Sequence, residues 1–188
     1  REETFEHVKI ADDAGVDSVF VAEAWGRDAF TLLTQLAERT KRIKLATGIV
    51  NYYSRTPAAL AQHFATLDEL SGGRMIIGLG ASSANVIEHF HGVKFEPALA
   101  RMRETIQIIN MLMANQNLVF NGKVFKGMER GFTLRFRPVR EHIPIYVASI
   151  SPKSMDSLGS VADGWMPIYW PKSMFKKGKE TVGAASVK

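Results

Sequence analysis

Residues 47–80, TGIVNYYSRTPAALAQHFATLDELSGGRMIIGLG, read as strand, loop, helix, strand. The opening residues close an apolar run over 43–51 (IKLATGIVN), and RMIIGLG at the end is apolar again. Continuous apolar runs of this length suit parallel strands buried on both faces. Between them Leu60, Phe64, Leu67 and Leu70 fall on one helical stripe. Thr56 followed by Pro57 is an N-cap with proline in the first turn, and Gly72 with Gly73 ends the helix. The stretch is therefore one complete βαβ unit.

Upstream of it, Phe5, Val8 and Ala11 fit a helical stripe that stops at Gly15, and residues 17–23 (DSVFVAE) read as a buried strand. A second helix follows, with Phe30, Leu33 and Ala37 on one face. A chain that opens on a helix with no strand before it, and without an initiator methionine, points to a lost N-terminus. Downstream, ASSAN after Gly80 is a polar loop, EHFHGV has no clear type, and Met102, Ile106, Ile109 and Met113 mark a long helix over 98–114.

Over 117–138 the pattern changes. Residues 118–120, the pair Asn121 and Gly122, and residues 123–125 predict a tight hairpin, with a further short strand over 132–136. The segment reads as an insertion outside the main repeat. The repeat resumes with IPIYVAS (143–149), a cap at Ser151 and Pro152, a helix through Met155, Leu158 and Val161, and a strand over 164–170 (GWMPIYW). Five strands alternating with helices predict one domain over 1–188 with a parallel sheet and right-handed crossovers. An open doubly wound sheet and a barrel both satisfy that pattern.

At 188 residues the chain is long enough to bury a full core. With 46% hydrophobic and 23% charged residues it has the composition of a soluble globular protein. No apolar run approaches the roughly 20 residues needed to cross a bilayer, and no basic-then-apolar leader is present, so neither a membrane nor secretion is indicated. The absence of cysteine excludes disulfides and thiolate chemistry and fits a cytoplasmic protein. The net charge of +5 is scattered except over 172–179, which reads as a solvated tail, and there is no nucleic-acid motif.

Three segments carry a family likeness: DELSGGRMIIGLGA, ATGIVNYYSRTPA and VADGWMPIY. Together they resemble the luciferase-like monooxygenase superfamily, and within it the reductases that depend on the deazaflavin coenzyme F420, including methylenetetrahydromethanopterin reductase. The resemblance implies a (β/α)8 TIM barrel of the bacterial luciferase-like type. Such a barrel typically needs about 250 residues. By this register the chain supplies about strands 2 to 6 plus the hairpin insertion, as a fragment of a longer gene or as a reduced barrel. The barrel implies a site on the loops 23–28, 48–55, 80–85, 149–153 and 169–172, which follow the strands.

The resemblance also implies roles for residues. It places a non-prolyl cis peptide between Gly48 and Ile49, in a bulge behind the central ring of the deazaflavin, with Val50 and Asn51 beside it. The plain alternative is a regular strand in which Gly48 relieves crowding. Gly80, Ala81, Ser82 and Ser83 form the next cofactor loop. Ser149, Ile150 and Ser151 open a helix whose N-terminal N–H groups could hold the phosphate-bearing tail, with Lys172 as countercharge. Ser-Pro is equally an ordinary helix start, and a lone lysine is usually solvated.

Glu23 is the candidate catalytic group. In some relatives a histidine or aspartate after the second strand works with a carboxylate after the fourth. Here Ala24 and Ser83 stand at or beside those positions, which points away from members acting on sugar phosphates and alcohols. His89 and His91 without a third strong ligand are a poor zinc signature, so no metal is expected. Trp25, Tyr52, Tyr53 and Trp170 are candidates to stack on a flat cofactor, with about half of them reaching it.

The implied activity is hydride transfer between coenzyme F420 and a small organic acceptor, since deazaflavin lacks the ring nitrogen that gives flavins their oxygen reactivity. An FMN-dependent monooxygenase and a non-catalytic flavin-binding remnant are the alternatives. A homodimer through the outer helices over 31–38 and 58–69 is a further implication of the family.

Overall fold

The computed structural model describes residues 2–185. Along the chain α1 (Glu2–Asp13) leads to β1 (Ser18–Val21), α2 (Ala29–Arg39) to β2 (Lys44–Thr47) and β3 (Val50–Asn51), and α3 (Pro57–Leu70) to β4 (Met75–Gly80). Two helices, α4 (Ala84–His89) and α5 (Ala98–Met113), precede the strands β5 (Leu118–Phe120) and β6 (Met128–Phe132). The alternation returns with β7 (Ile145–Ala148), α6 (Pro152–Leu158), β8 (Gly164–Trp165) and α7 (Phe175–Ala185).

All pairings in the main sheet are parallel, in the order β1, β2, β4, β7, β8, with β3 also paired to β4. Strands that neighbour one another in chain order, each followed by a helix, are the plan of an α/β barrel. Leu45, Val50, Met75, Ile77, Leu79, Ile145 and Val147 point to the helix side, where they form one core with Phe30, Leu33, Leu60, Phe64, Ile106 and Ile109. Toward the C-terminal ends of the strands the other face carries small side chains: Ala46, Gly78, Gly80 and Ala148 alternate with those core residues, with Ile76 and Tyr146 nearer the other end.

The predicted N-caps stand as expected, whereas α6 ends at Leu158, short of the Val161 that the stripe included. Thr56 accepts the Ala59 N–H and Ser151 that of Ser154, each with proline in the first turn. Gly15, Gly72 and Gly73 take positive φ beyond the helix ends. Leu70 does not join the stripe of α3 and is 46% exposed. It lies about 80° round the helix from Leu60 at 3.6 residues per turn, whereas Ser71, about 20° round, takes the buried position.

Three strand expectations are corrected. The run over 43–51 is not one strand: β2 and β3 are separated at Gly48 and Ile49, and the register against β4 slips by one residue between Ala46↔Ile76 and Val50↔Leu79. β1 is an edge strand rather than a strand buried on both faces, and Phe20 is 44% exposed. The strand over 164–170 is only Gly164–Trp165; Met166 N–H still donates to the Val147 carbonyl, and Met166 to Ile168 form a cavity rim.

The hairpin is corrected as well. β5 pairs antiparallel with β6, at 128–132, and not with residues 123–125. The Glu104 carboxylate accepts the backbone N–H groups of Lys123, Val124 and Phe125, so those donors face a side chain on α5 and are unavailable to a strand.

Candidate functional site

The C-terminal ends of β2, β4, β7 and β8 surround a cavity of about 660 Å³. The wall after β2 consists of Gly48, Ile49 and Tyr52, and Gly80, Ala81 and Ser82 follow β4. Ala148, Ser149, Ile150 and Ser151 come from β7, Met166 to Ile168 from β8, and Phe95, Ala98, Met102 and Ser154 complete the lining. Its size is that of a small-molecule site, and its place is where barrel enzymes build theirs.

The floor is made by the slip between β2 and β3. Thr47 Oγ1 donates to the Gly78 carbonyl at 2.7 Å and accepts the Gly78 N–H at 2.8 Å, so a side chain stands in for the ladder. The Thr47 carbonyl turns towards Gly78, where an added Cβ would lie 1.8 Å from its oxygen. The Gly48–Ile49 peptide is cis. Beyond it, Gly48 N–H donates to Val21 and Glu23 N–H to Ile49, which ties the bulge to the chain after β1. Ile49 passes over Gly80, whose added Cβ would meet the Ile49 side chain at 2.9 Å.

Of the residues expected at a cofactor site, Gly48, Ile49, Gly80, Ala81, Ser82, Ser149, Ile150 and Ser151 share this cavity. Val50 does not: its side chain is in the core on the helix side. Asn51 turns back to accept the N–H groups of Tyr53 and Ser54, and its Nδ2 lies 3.4 Å from His91 Nε2. Ser83 caps α4, accepting the Val86 N–H. Lys172 is exposed in the 3-10 turn Lys172–Met174 and is not part of the lining. Ser151 accepts the Ser154 N–H and donates to Ser154 Oγ at 2.9 Å.

Glu23 lies in an adjoining pocket of about 320 Å³ with Ala24, Asp28, Ser54, Arg55 and His91. Its two oxygens are held by the Arg55 guanidinium at 2.6 and 3.0 Å, and one also accepts the Ala29 N–H. Arg55 bridges on to Asp28 at 2.6 Å. Burial by itself would raise the Asp28 carboxyl, but hydrogen bonds from Thr31 and the Arg55 charge outweigh it and hold it below the usual range. Glu23 is therefore an anchor of the loop that leads into α2.

Among the four aromatic candidates, Tyr52 reaches the cavity and Tyr53 lies behind it, the rings stacked at 5.2 Å. Trp25 is 70% exposed, and Trp170 packs edge-on to Trp165. Phe95, Met102 and Met166 were not expected from the sequence. Phe95 is placed by its stack on Tyr53 and Met102 by the inner stripe of α5, contacts that no local motif announces. His89 sits on the exposed side of α4, while His91 packs against Asn51 and Phe90.

A parallel sheet with a bulge at the foot of a cavity defines the class of protein. The luciferase-like monooxygenase family model matches residues 1–185, and the chain belongs to that family. A Mycobacterium tuberculosis protein provisionally named a coenzyme F420-dependent oxidoreductase is 38% identical over 179 residues, which are 90% of this chain and 52% of that one. The 5,10-methylenetetrahydromethanopterin reductase of Archaeoglobus fulgidus is 33% identical, covering 97% of this chain and 54% of its own length. The structure of the coenzyme F420-dependent tetrahydromethanopterin reductase of Methanopyrus kandleri superposes with a TM-score of 0.89 at 24% identity, over 100% of this chain and 58% of that one. The chain thus spans about half the length of the curated relatives it matches, and its sheet is part of the luciferase-like TIM barrel.

Proposed function

We propose that this chain forms the cofactor half of a coenzyme F420-dependent oxidoreductase that passes a hydride to a small organic acceptor. The observation that carries the reading is the cavity whose floor is the Gly48–Ile49 bulge. Its wall carries no side chain at Gly48 and Gly80, where Phe20 and Ile49 close over the backbone, so the surface offered to a flat ring is the Ile49 bulge and the small residues Ala81 and Ala148. The names of the relatives at 38% and 33% identity point the same way.

In this reading Gly48, Ile49 and Gly80 face the ring, and Ala81 and Ser82 border its edge. Ser149, Ile150 and Ser151 face the phosphate-bearing tail. Bound coenzyme F420 would supply the hydride. The protein contributes position and exclusion of water: the bulge sets the height of the ring, and Phe95, Met102 and Met166 give an apolar surround. Val50, Asn51 and Ser83 act behind the wall, and Glu23 fixes the entrance through Arg55. A homodimer through the outer faces of α2 and α3, and a cytoplasmic location, belong to the same proposal. Among the described residues no helix is long and apolar enough to cross a membrane.

Fluorescence titration of the chain with coenzyme F420 and, separately, FMN tests the reading. Tighter binding of coenzyme F420 is expected. Preference for FMN would transfer the site to monooxygenase chemistry, and binding of neither would remove the proposal.

A further inference from the structure

Tyr52 combines burial with an unused polar group. The residue is 4% exposed and forms part of the cavity wall. Its hydroxyl has no hydrogen-bond partner among the described residues, yet it is not one of the fully buried unpartnered atoms. Tyr52 lines the cavity, and Tyr53 and the Arg101 guanidinium are the ionisable groups close enough to act on its phenol. Buried polar groups in folded proteins find partners, so a buried phenol that lines a ligand site without a protein partner is placed to meet one there.

The ring is also held still. Tyr52 N–H donates to the Gly80 carbonyl at 3.3 Å, which fixes the backbone across β4. Its ring stacks on Tyr53 at 5.2 Å and 29°, and Tyr53 stacks on Phe95 at 5.2 Å and 18°. Tyr53 Oη donates to the Phe95 carbonyl at 3.1 Å, and the Arg101 guanidinium lies 4.8 Å from the Tyr53 ring centroid. A side chain ordered before binding loses little freedom when it makes a contact.

We propose that the Tyr52 hydroxyl donates a hydrogen bond to a carbonyl oxygen on the edge of the flat ring ligand held in this cavity. Tyr52 is then a specificity residue for heteroaromatic rings that carry carbonyl groups, and it selects against purely hydrocarbon rings of the same shape. Burial raises its phenol well above the usual value, with the neighbouring Tyr53 adding to the effect, so the group keeps its proton throughout the neutral range and acts as a donor. The inference rests on the ring-binding reading of the cavity.

The test compares Tyr52→Phe with the unchanged chain in titrations with coenzyme F420 and with FMN, read by fluorescence, and in infrared spectra of bound coenzyme F420. Loss of one neutral hydrogen bond is expected to raise Kd by about 2- to 12-fold and to move a ring carbonyl stretch to higher frequency. Arg74→Lys is the control, since it removes hydrogen bonds at the far end of the sheet from the cavity: it is expected to lower Tm with Kd unchanged within about 2-fold. Equal affinity of Tyr52→Phe and the unchanged chain, or weaker binding with no carbonyl shift, overturns the inference while leaving the ring-binding reading in place. If the unchanged chain binds neither ring, that reading fails first and the inference falls with it.

Discussion

Thr47 and Gly78 are locked together through a side chain: the Thr47 hydroxyl both donates to the Gly78 carbonyl and accepts its N–H, at 2.7 and 2.8 Å. Thr47 is completely buried, so no water can replace it. Thr47→Val keeps the shape and strands one buried N–H and one buried C=O, each costing about 1 to 3 kcal/mol. Urea unfolding is expected to show a loss of about 2 to 4 kcal/mol, with Thr47→Ser recovering more than half of it. Gly78→Ala should be worse, because the new Cβ meets a backbone oxygen at 1.8 Å that cannot move without dissolving the bulge.

At the opposite end of the sheet Arg74 does a purely structural job. Its guanidinium donates to the carbonyls of Ala37, Thr40, Ile43 and Ser71 and to Thr40 Oγ1, binding the end of α2 to the starts of β2 and β4. A lysine has one nitrogen and cannot reach all of these. Arg74→Lys is expected to cost about 2 to 4 kcal/mol in chemical denaturation. Affinity for ring ligands measured at a temperature where the variant is folded should be unchanged. A variant as stable as the parent would show that water substitutes for the arginine.

Glu104 gives the loop after β5 a pH dependence. Burial alone would raise its carboxyl, but three backbone N–H bonds from Phe125, Val124 and Lys123, with the Arg101 charge, hold it below the ordinary glutamate value of 4.5. A group depressed in the folded state contributes stability that is complete above its unfolded value and is lost as pH falls through the folded one. At pH 7 Glu104→Gln should therefore be less stable by about 1.5 to 3 kcal/mol. The gap should close as the pH is lowered past the ordinary glutamate value and through the depressed folded-state one. A gap that stays constant with pH would mean that the charge contributes nothing beyond the shape of the side chain.

The parts of this fold that were readable in advance are those set by neighbours in the chain. The periodicity of 57–70 and the caps at Thr56 and Ser151 operate within one or two turns, and each appears where the pattern puts it. What escaped depends on contacts between distant segments. The break between β2 and β3 needs Gly78, 31 residues beyond Thr47. The turn over 123–125 is shaped by a carboxylate 19 to 21 residues earlier. The site shows the same division. Gly48, Ile49 and Gly80 came from the likeness to a family, and the structure brings them to one cavity. Asn51 lies between cavity residues in the sequence but folds back on its own loop, since its carbonyl oxygen is claimed by the next two N–H groups available to it.

Gly80 separates folding from binding more cleanly than any other position in the wall. An added Cβ would meet Ile49 Cδ1 and Cγ1 at 2.9 Å and Ala148 Cβ at 3.4 Å, all of them side-chain atoms, in contrast to the backbone oxygen that guards Gly78. Ile49 can give way by a rotamer change, which costs about 0.5 to 1.5 kcal/mol if it is left off its minimum. Gly80→Ala is therefore expected to fold, with a loss of about 1 kcal/mol. Ile49 already borders the cavity, so a shift of its side chain alters the cavity floor. Affinity for coenzyme F420 should fall by at least 10-fold, a loss of about 1.4 kcal/mol, measured by the same fluorescence titration. Unimpaired binding by a folded Gly80→Ala chain would show that the ring does not lie against Ile49 and Gly80.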